Sequence, residues 1–250
     1  MIPLIAANWK MNLLKADALL FCSRLSAQVA QRKNRSCDIV ICPPFSLLSL
    51  VRGALNEEIS VGAQTCDHRS FGPHTGDINS LMLKDLDCDR VIVGHSERRT
   101  EYYESDRLVQ LKAESAIAAD MSTIICVGES AEERAAGKTL ETVYRQVRDS
   151  MPGNGTFENV AIAYEPLWAI GTGLTASLDQ IAEVHEGIRD LVSRLLHDGE
   201  KIRILYGGSV NPSNAEEILS LPAVDGGLVG GASMNVDDFW SICCAASDTV

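Results

Sequence analysis

The sequence predicts an α/β fold, a single (β/α)8 barrel spanning residues 1–250. Eight short apolar runs rich in β-branched residues recur along the chain, and most of the gaps between them carry an amphipathic pattern. Eight strand–helix units in about 250 residues is also the arithmetic of a closed barrel.

The runs are Leu4–Ala7, Asp38–Cys42, Ile59–Ala63, Arg90–Val93, Thr123–Val127, Val160–Tyr164, Ile202–Tyr206 and Gly227–Val229. Each is bounded by turn residues, and successive runs begin 34, 21, 31, 33, 37, 42 and 25 residues apart. That spacing leaves room for a crossover helix, so the strands are expected to be parallel. They are apolar throughout rather than alternating, as strands covered on both faces should be. Asp17–Ala30 and Leu178–Leu196 repeat leucine, isoleucine or valine every three or four residues with charges between, the pattern of surface helices. In the second of these, Asp179 marks a start and His197-Asp198-Gly199 a close, a cation followed by a glycine. An open doubly wound sheet would use the same units, and strand count alone does not decide closure. No linker, composition shift or low-complexity stretch divides the chain, so one domain is expected.

Charge excludes whole classes of partner. With 22 Lys plus Arg against 34 Asp plus Glu the net charge is −12, which offers no diffuse cationic surface for nucleic acid or anionic lipid. A few placed donors can still bind a small anion. The eight cysteines form no C-x-x-C pair and the five histidines no H-E-x-x-H, so no metal site is expected. Scattered cysteines in a chain of this length read as reduced thiols in the cytoplasm. The start Met1–Ala7 lacks the cationic end and the length of a signal peptide, and no apolar run approaches the roughly 18 residues of a membrane span. Asn34-Arg35-Ser36 and Asn154-Gly155-Thr156 fit the glycosylation pattern without meaning in a chain that is not secreted.

In a barrel the working face lies at the carboxyl ends of the strands. Just past the first run stand Asn8-Trp9-Lys10, past the third Gln64, past the fourth Gly94-His95-Ser96-Glu97, past the fifth Gly128-Glu129 and past the sixth Glu165. Alone, Glu165 would read as a solvated strand end; its nearly charge-free flanks, Ala161–Tyr164 and Pro166–Ile170, predict a dry carboxylate with a raised pKa, suited to a base. Ser96 is placed to cap a helix beginning at Glu97, which would set His95 near a helix N-terminus and favour its neutral form. Lys10 after an apolar strand predicts an inward-pointing ammonium. Gly207-Gly208-Ser209 and Gly230-Gly231 end the seventh and eighth runs, where small residues let backbone N–H groups approach an anion, and phosphate sites recur there in this architecture. Gly171–Ala176 matches a dinucleotide pattern only weakly, because no strand precedes it directly; Pro166–Ala176 reads instead as a loop that closes over substrate.

Taken together these segments resemble the triosephosphate isomerase family. The matching stretches are Asn8–Asn12, Gly94–Arg99, Cys126–Glu129, Ala163–Gly173, Tyr206–Val210 and Leu228–Ser233, in family order along essentially the whole chain. The resemblance implies a TIM barrel that interconverts dihydroxyacetone phosphate and glyceraldehyde 3-phosphate without metal or organic cofactor. It implies Glu165 as the base, neutral His95 as the electrophile, Lys10 as the positive charge for substrate and enediolate, and Asn8 nearby as a substrate-binding residue. Gly171, Ser209, Gly230 and Gly231 are implied as phosphate donors. It further implies a homodimer in which the loop from Thr65 to Asn79 reaches into the neighbour. Thr75-Gly76 matches the family tip, whereas His68, Pro73 and His74 depart from it. Asp77 replaces the family's usual glutamate and shortens the cross-subunit reach to Arg98 by a methylene. A Schiff-base aldolase on the same barrel would need a lysine ending a middle or late strand, and Lys10 is the only lysine ending a strand. A barrel reduced to a binding role would be expected to have lost Lys10, His95 or Glu165.

Overall fold

The computed structural model describes residues 1–32, 37–169 and 175–246. Gly171, the far part of the closing loop and the Asn34-Arg35-Ser36 sequon lie outside the described residues. Eight strands form: β1 Leu4–Asn8, β2 Asp38–Cys42, β3 Ile59–Ala63, β4 Arg90–Val93, β5 Ser122–Val127, β6 Val160–Tyr164, β7 Arg203–Tyr206 and β8 Gly226–Val229. All pair in parallel in chain order, and β8 returns to β1, with Leu4 opposite Gly226 and Ala7 opposite Val229. The sheet is therefore a closed barrel, not an open doubly wound sheet.

Closure depends on one glycine. Gly226 has φ +141° where it meets β1, and a Cβ there would lie 2.0 Å from the Leu4 carbonyl oxygen. Only a residue without a side chain allows both that dihedral and that approach.

The unbroken apolar runs are explained by burial on both faces. Leu4, Ala6, Val40, Ile92, Ala161 and Leu205 point into the barrel with other small or branched residues. Ile5, Ala7, Ile39, Ile41 and Ile162 point outward into the layer shared with the helices. Cys42 and Cys126 belong to the inner set, and the eight cysteines are free thiols, seven of them buried. Cys22, Cys42, Cys66, Cys88 and Cys126 serve as small apolar fillers.

Helix ends are where the structure departs from the sequence reading. The helix Leu178–Leu195 is capped by Ser177, not Asp179: the Ser177 hydroxyl accepts the Gln180 N–H while the Gln180 side chain accepts the Ser177 N–H. Asp179 sits in the first turn, where its charge complements the helix dipole. At the other end Asp198, not Gly199, takes the left-handed conformation (φ +57°), and Gly199 opens a short 3-10 turn. The first helix covers Lys15–Ala30, because the Leu14 N–H finds the Asp17 carboxylate and one more half-turn forms. Among the described residues no helix is long and apolar enough to cross a membrane.

Candidate active site

The carboxyl ends of β1, β4, β6, β7 and β8 surround a cavity of about 370 Å³ lined by Asn8, Lys10, His95, Glu165, Ser209 and Gly230 among others. Lys10 reaches it through a tight turn with φ +53°. Asn8 Oδ1 accepts the Lys10 N–H at 3.1 Å, and Gln64 Nε2 donates to the carbonyls of Lys10 (2.8 Å) and Cys42 (2.9 Å), so the turn is tied to β2 and β3. The ammonium projects toward Gly230, where a Cβ would lie 3.5 Å from Lys10 Cε, and donates to Glu97 Oε1 at 2.6 Å. The inward-pointing lysine is thus present, with a carboxylate partner that sequence reading did not assign.

His95 lies two residues past β4 and itself caps the next helix, Ser96–Glu101: its Nδ1 accepts the Glu97 N–H at 3.3 Å. This corrects the expectation that Ser96 is the cap. Ser96 is the first helical residue, and its free N–H donates to Glu165 Oε2 at 2.9 Å. Because Nδ1 is an acceptor, the neutral ring carries its proton on Nε2, and Nε2 stands 2.8 Å from Glu165 Oε1.

Glu165 is fully buried one residue past β6, its N–H bound to the Val127 carbonyl at 2.7 Å. Gly128 lies so close that a Cβ there would be 1.7 Å from the Glu165 carbonyl oxygen, and one on Gly207 would be 2.8 Å from Glu165 Cγ. Both glycines therefore position the carboxylate, a role the sequence hinted at only by placing glycine at two strand ends.

The electrostatics correct a second expectation. Burial pushes the Glu165 carboxyl up, as its apolar flanks predict. The charge and hydrogen bond of His95, the Ser96 N–H and Lys10 outweigh burial, so the carboxyl is held below its ordinary value. Sequence showed the apolar neighbours and not these partners from other strands. For His95, burial disfavours the cation, but Glu165 and then Glu97 overcome it and raise the imidazole above its usual range. When the carboxylate leaves Nε2 those largest upward influences go with it. Burial, Lys10 and the helix N-terminus then favour the neutral ring.

The glycine-rich turns form the opposite wall. Gly230 accepts the Ser233 N–H and hydroxyl at 2.9 and 2.7 Å, which frees the edge of Gly231, where a Cβ would meet nothing within 4 Å. Ser209 is fixed by Asn214 Nδ2 donating to its carbonyl at 3.0 Å. Near the start of the segment expected to close over substrate, Trp168 Nε1 (2.9 Å) and Tyr164 OH (3.2 Å) both donate to Glu129 Oε1, a buried latch that sequence reading missed. Among the described residues no cluster of three or more metal-ligating side chains occurs.

A carboxylate, an imidazole and an ammonium facing glycine turns can take a proton beside a carbonyl, hold the resulting oxyanion and bind a remote phosphate. On a closed α/β barrel this defines an isomerase of small phosphorylated sugars. The triosephosphate isomerase family model matches residues 3–246, and the chain belongs to that family. Triosephosphate isomerase from Rhizobium meliloti (strain 1021) is 47% identical over 242 residues, 96% of this chain and 94% of that protein. The enzyme from Rhodopseudomonas palustris (strain BisA53) is 47% identical over 243 residues, 96% and 95% of the two chains. The crystal structure of triosephosphate isomerase from Bartonella henselae superposes with a TM-score of 0.90 at 43% identity, covering 98% of this chain and 99% of that one.

Proposed function

We propose that this chain interconverts dihydroxyacetone phosphate and D-glyceraldehyde 3-phosphate through an enediolate, serving glycolysis and gluconeogenesis. The observation that carries the proposal is the meeting of Lys10, His95 and Glu165, from three strand ends, around one cavity backed by glycine turns.

Glu165 is the base. Its carboxylate swings off His95 Nε2 as the substrate carbonyl takes that place, and removes the proton from C1. His95 donates from Nε2 to the carbonyl oxygen and then moves the proton between the two oxygens, while Lys10 stabilises the negative charge. Glu165 returns its proton at C2. Ser209, Gly230 and Gly231, with Gly171 from the closing loop, bind the phosphate, and Asn8 holds the Lys10 turn. Remote phosphate binding organises the reacting centre. Loop closure keeps water from an intermediate that would otherwise eliminate phosphate, a role for which this family is the standard case.

The same reading includes a single domain over residues 1–250, a cytoplasmic location and a homodimer through the loop from Thr65 to Asn79. Exposed apolar side chains beside that loop and the Lys10 turn support the dimer: Met11, Leu14, Phe71 and Tyr102. In-chain pairing changes the polar part of the interface. Asp77 accepts from Arg69 at 2.9 Å, and Arg98 donates to Glu104 at 2.6 Å. A coupled assay on glyceraldehyde 3-phosphate tests the function. Turnover is expected, and purified protein without it would overturn the reading. Borohydride added during turnover should trap no lysine adduct.

A further inference from the structure

Away from the catalytic cavity, two thiols from opposite ends of the chain meet beside an arginine. Cys37 lies one residue before β2, and Cys243 lies on the last helix, Val236–Ala245; both are buried. The Cys37 thiol donates to the Cys243 carbonyl at 3.6 Å. Arg32 spans the pair, with Nη1 donating to Cys37 Sγ at 3.5 Å and Nη2 to the Cys243 carbonyl at 3.0 Å. Its guanidinium lies over the Trp240 ring, 4.9 Å from the centroid, so the cation is held in place from a second side.

A fixed cation and a donor thiol favour a thiolate. The Cys243 thiol, opposed by burial and helped by Arg32, brings Cys37 down to about 7. Burial pushes the thiols of Cys22, Cys66 and Cys88 up to about 12. Cys37 thus differs from the packing cysteines, and the residue whose carbonyl its thiol contacts is itself a cysteine. We propose that Cys37 and Cys243 are an oxidation-sensitive dithiol, closed to a disulfide by hydrogen peroxide, that ties the last helix to the entry of β2.

The chemistry balances as two steps. Cys37 thiolate attacks one peroxide oxygen; the O–O bond breaks, Cys37 becomes a sulfenic acid, and the departing hydroxide takes a proton to become water. The Cys243 sulfur then attacks Cys37 sulfur, the S–O bond breaks, and the leaving hydroxide takes the Cys243 proton as a second water. Two thiols are oxidised by two electrons and one peroxide is reduced.

The test treats the native full chain with one equivalent of hydrogen peroxide, quenches with an alkylating agent, counts thiols in denaturant and maps cross-links by mass spectrometry. Wild type is expected to lose two of its eight thiols, with Cys37 joined to Cys243 and the bond reversed by a dithiol reductant. C244S should form the same bond, while C37S and C243S should form none. Arg32→Ala should slow closure about tenfold by raising the attacking thiol. Eight thiols remaining in wild type, a bond from Cys37 to Cys244, or undiminished closure in R32A would each overturn the proposal. Mapping in wild type decides it even if a cysteine variant fails to fold.

Discussion

His95 Nε2 and Glu165 Oε1 stand 2.8 Å apart, so the two groups expected to work on substrate are bonded to one another. The same carboxylate holds the Ser96 N–H with its other oxygen. Proton abstraction therefore requires the carboxylate to move, and the length of its side chain sets how far it reaches. Glu165→Asp should fold normally and lower kcat by about 100-fold or more, since about 1 Å of misplacement has that effect. Steady-state kinetics check this, and unchanged turnover would remove Glu165 as the base.

Gly128 is the backstop of that carboxylate. Gly128→Ala forces a Cβ against the Glu165 carbonyl oxygen and Leu167. We expect a loss of about 1–3 kcal/mol of stability together with a kcat at least about tenfold lower. Denaturant melts and kinetics on one preparation check both; a fully active variant would show that Glu165 is not held from behind.

His185 makes acid stability predictable. It is fully buried, its Nδ1 bonds the Ala223 carbonyl at 3.1 Å, and its Nε2 finds no partner among the described residues. Burial brings its pKa down to about 4 from an ordinary 6.5. Above pH 6.5 folded and unfolded rings are both neutral, so nothing is lost. As pH falls from 6.5 toward 4 the unfolded ring takes a proton that the folded one refuses, and stability drops by about 3 kcal/mol. His185→Gln should flatten that part of the stability profile; a profile as steep as wild type would assign the loss elsewhere.

Residues 168–171 belong to the segment 166–176 expected to cover the site, and Trp168 is anchored on Glu129. Deleting them should leave the barrel folded but release methylglyoxal as phosphate leaves an exposed enediolate. Product analysis checks this, and clean isomerisation would deny the segment a protective role.

Asp77 is one methylene shorter than the family's glutamate and is taken up by Arg69 within its own loop. Asp77→Glu should tighten the proposed dimer about two- to fivefold, the range of an exposed ion pair. Sedimentation at low concentration checks this; an unchanged or weaker dimer would show that residue 77 does not contribute across the interface.

Much of the fold was legible because each strand carries its own signal: an apolar run such as Val160–Tyr164 needs two buried faces, and the closed barrel supplies both. The positions of Lys10, His95 and Glu165 were legible for the same reason, as polar residues at the ends of such runs. Features set by contacts distant in sequence were not legible. The lowered Glu165 carboxyl arises from His95 and Ser96 at the start of the helix after β4, about 70 residues away along the chain. The sequence points to Ser96 as the cap of helix Ser96–Glu101, whereas a histidine nitrogen accepts the N–H that a serine hydroxyl usually takes. The part that Gly128 and Gly207 play in holding Glu165 is not legible in sequence, where Gly207 reads only as part of an anion-binding turn, since only the folded chain brings Glu165 between them.

Isomerisation of dihydroxyacetone phosphate in deuterium oxide, followed by proton NMR, tests the central claim most directly. The account predicts glyceraldehyde 3-phosphate with solvent deuterium at C2, because a proton held on the Glu165 carboxylate exchanges before it returns. Product formed at full rate with no solvent deuterium, together with undiminished turnover in Glu165→Gln, would mean that hydrogen passes directly between the carbons, and would contradict a carboxylate base in this site.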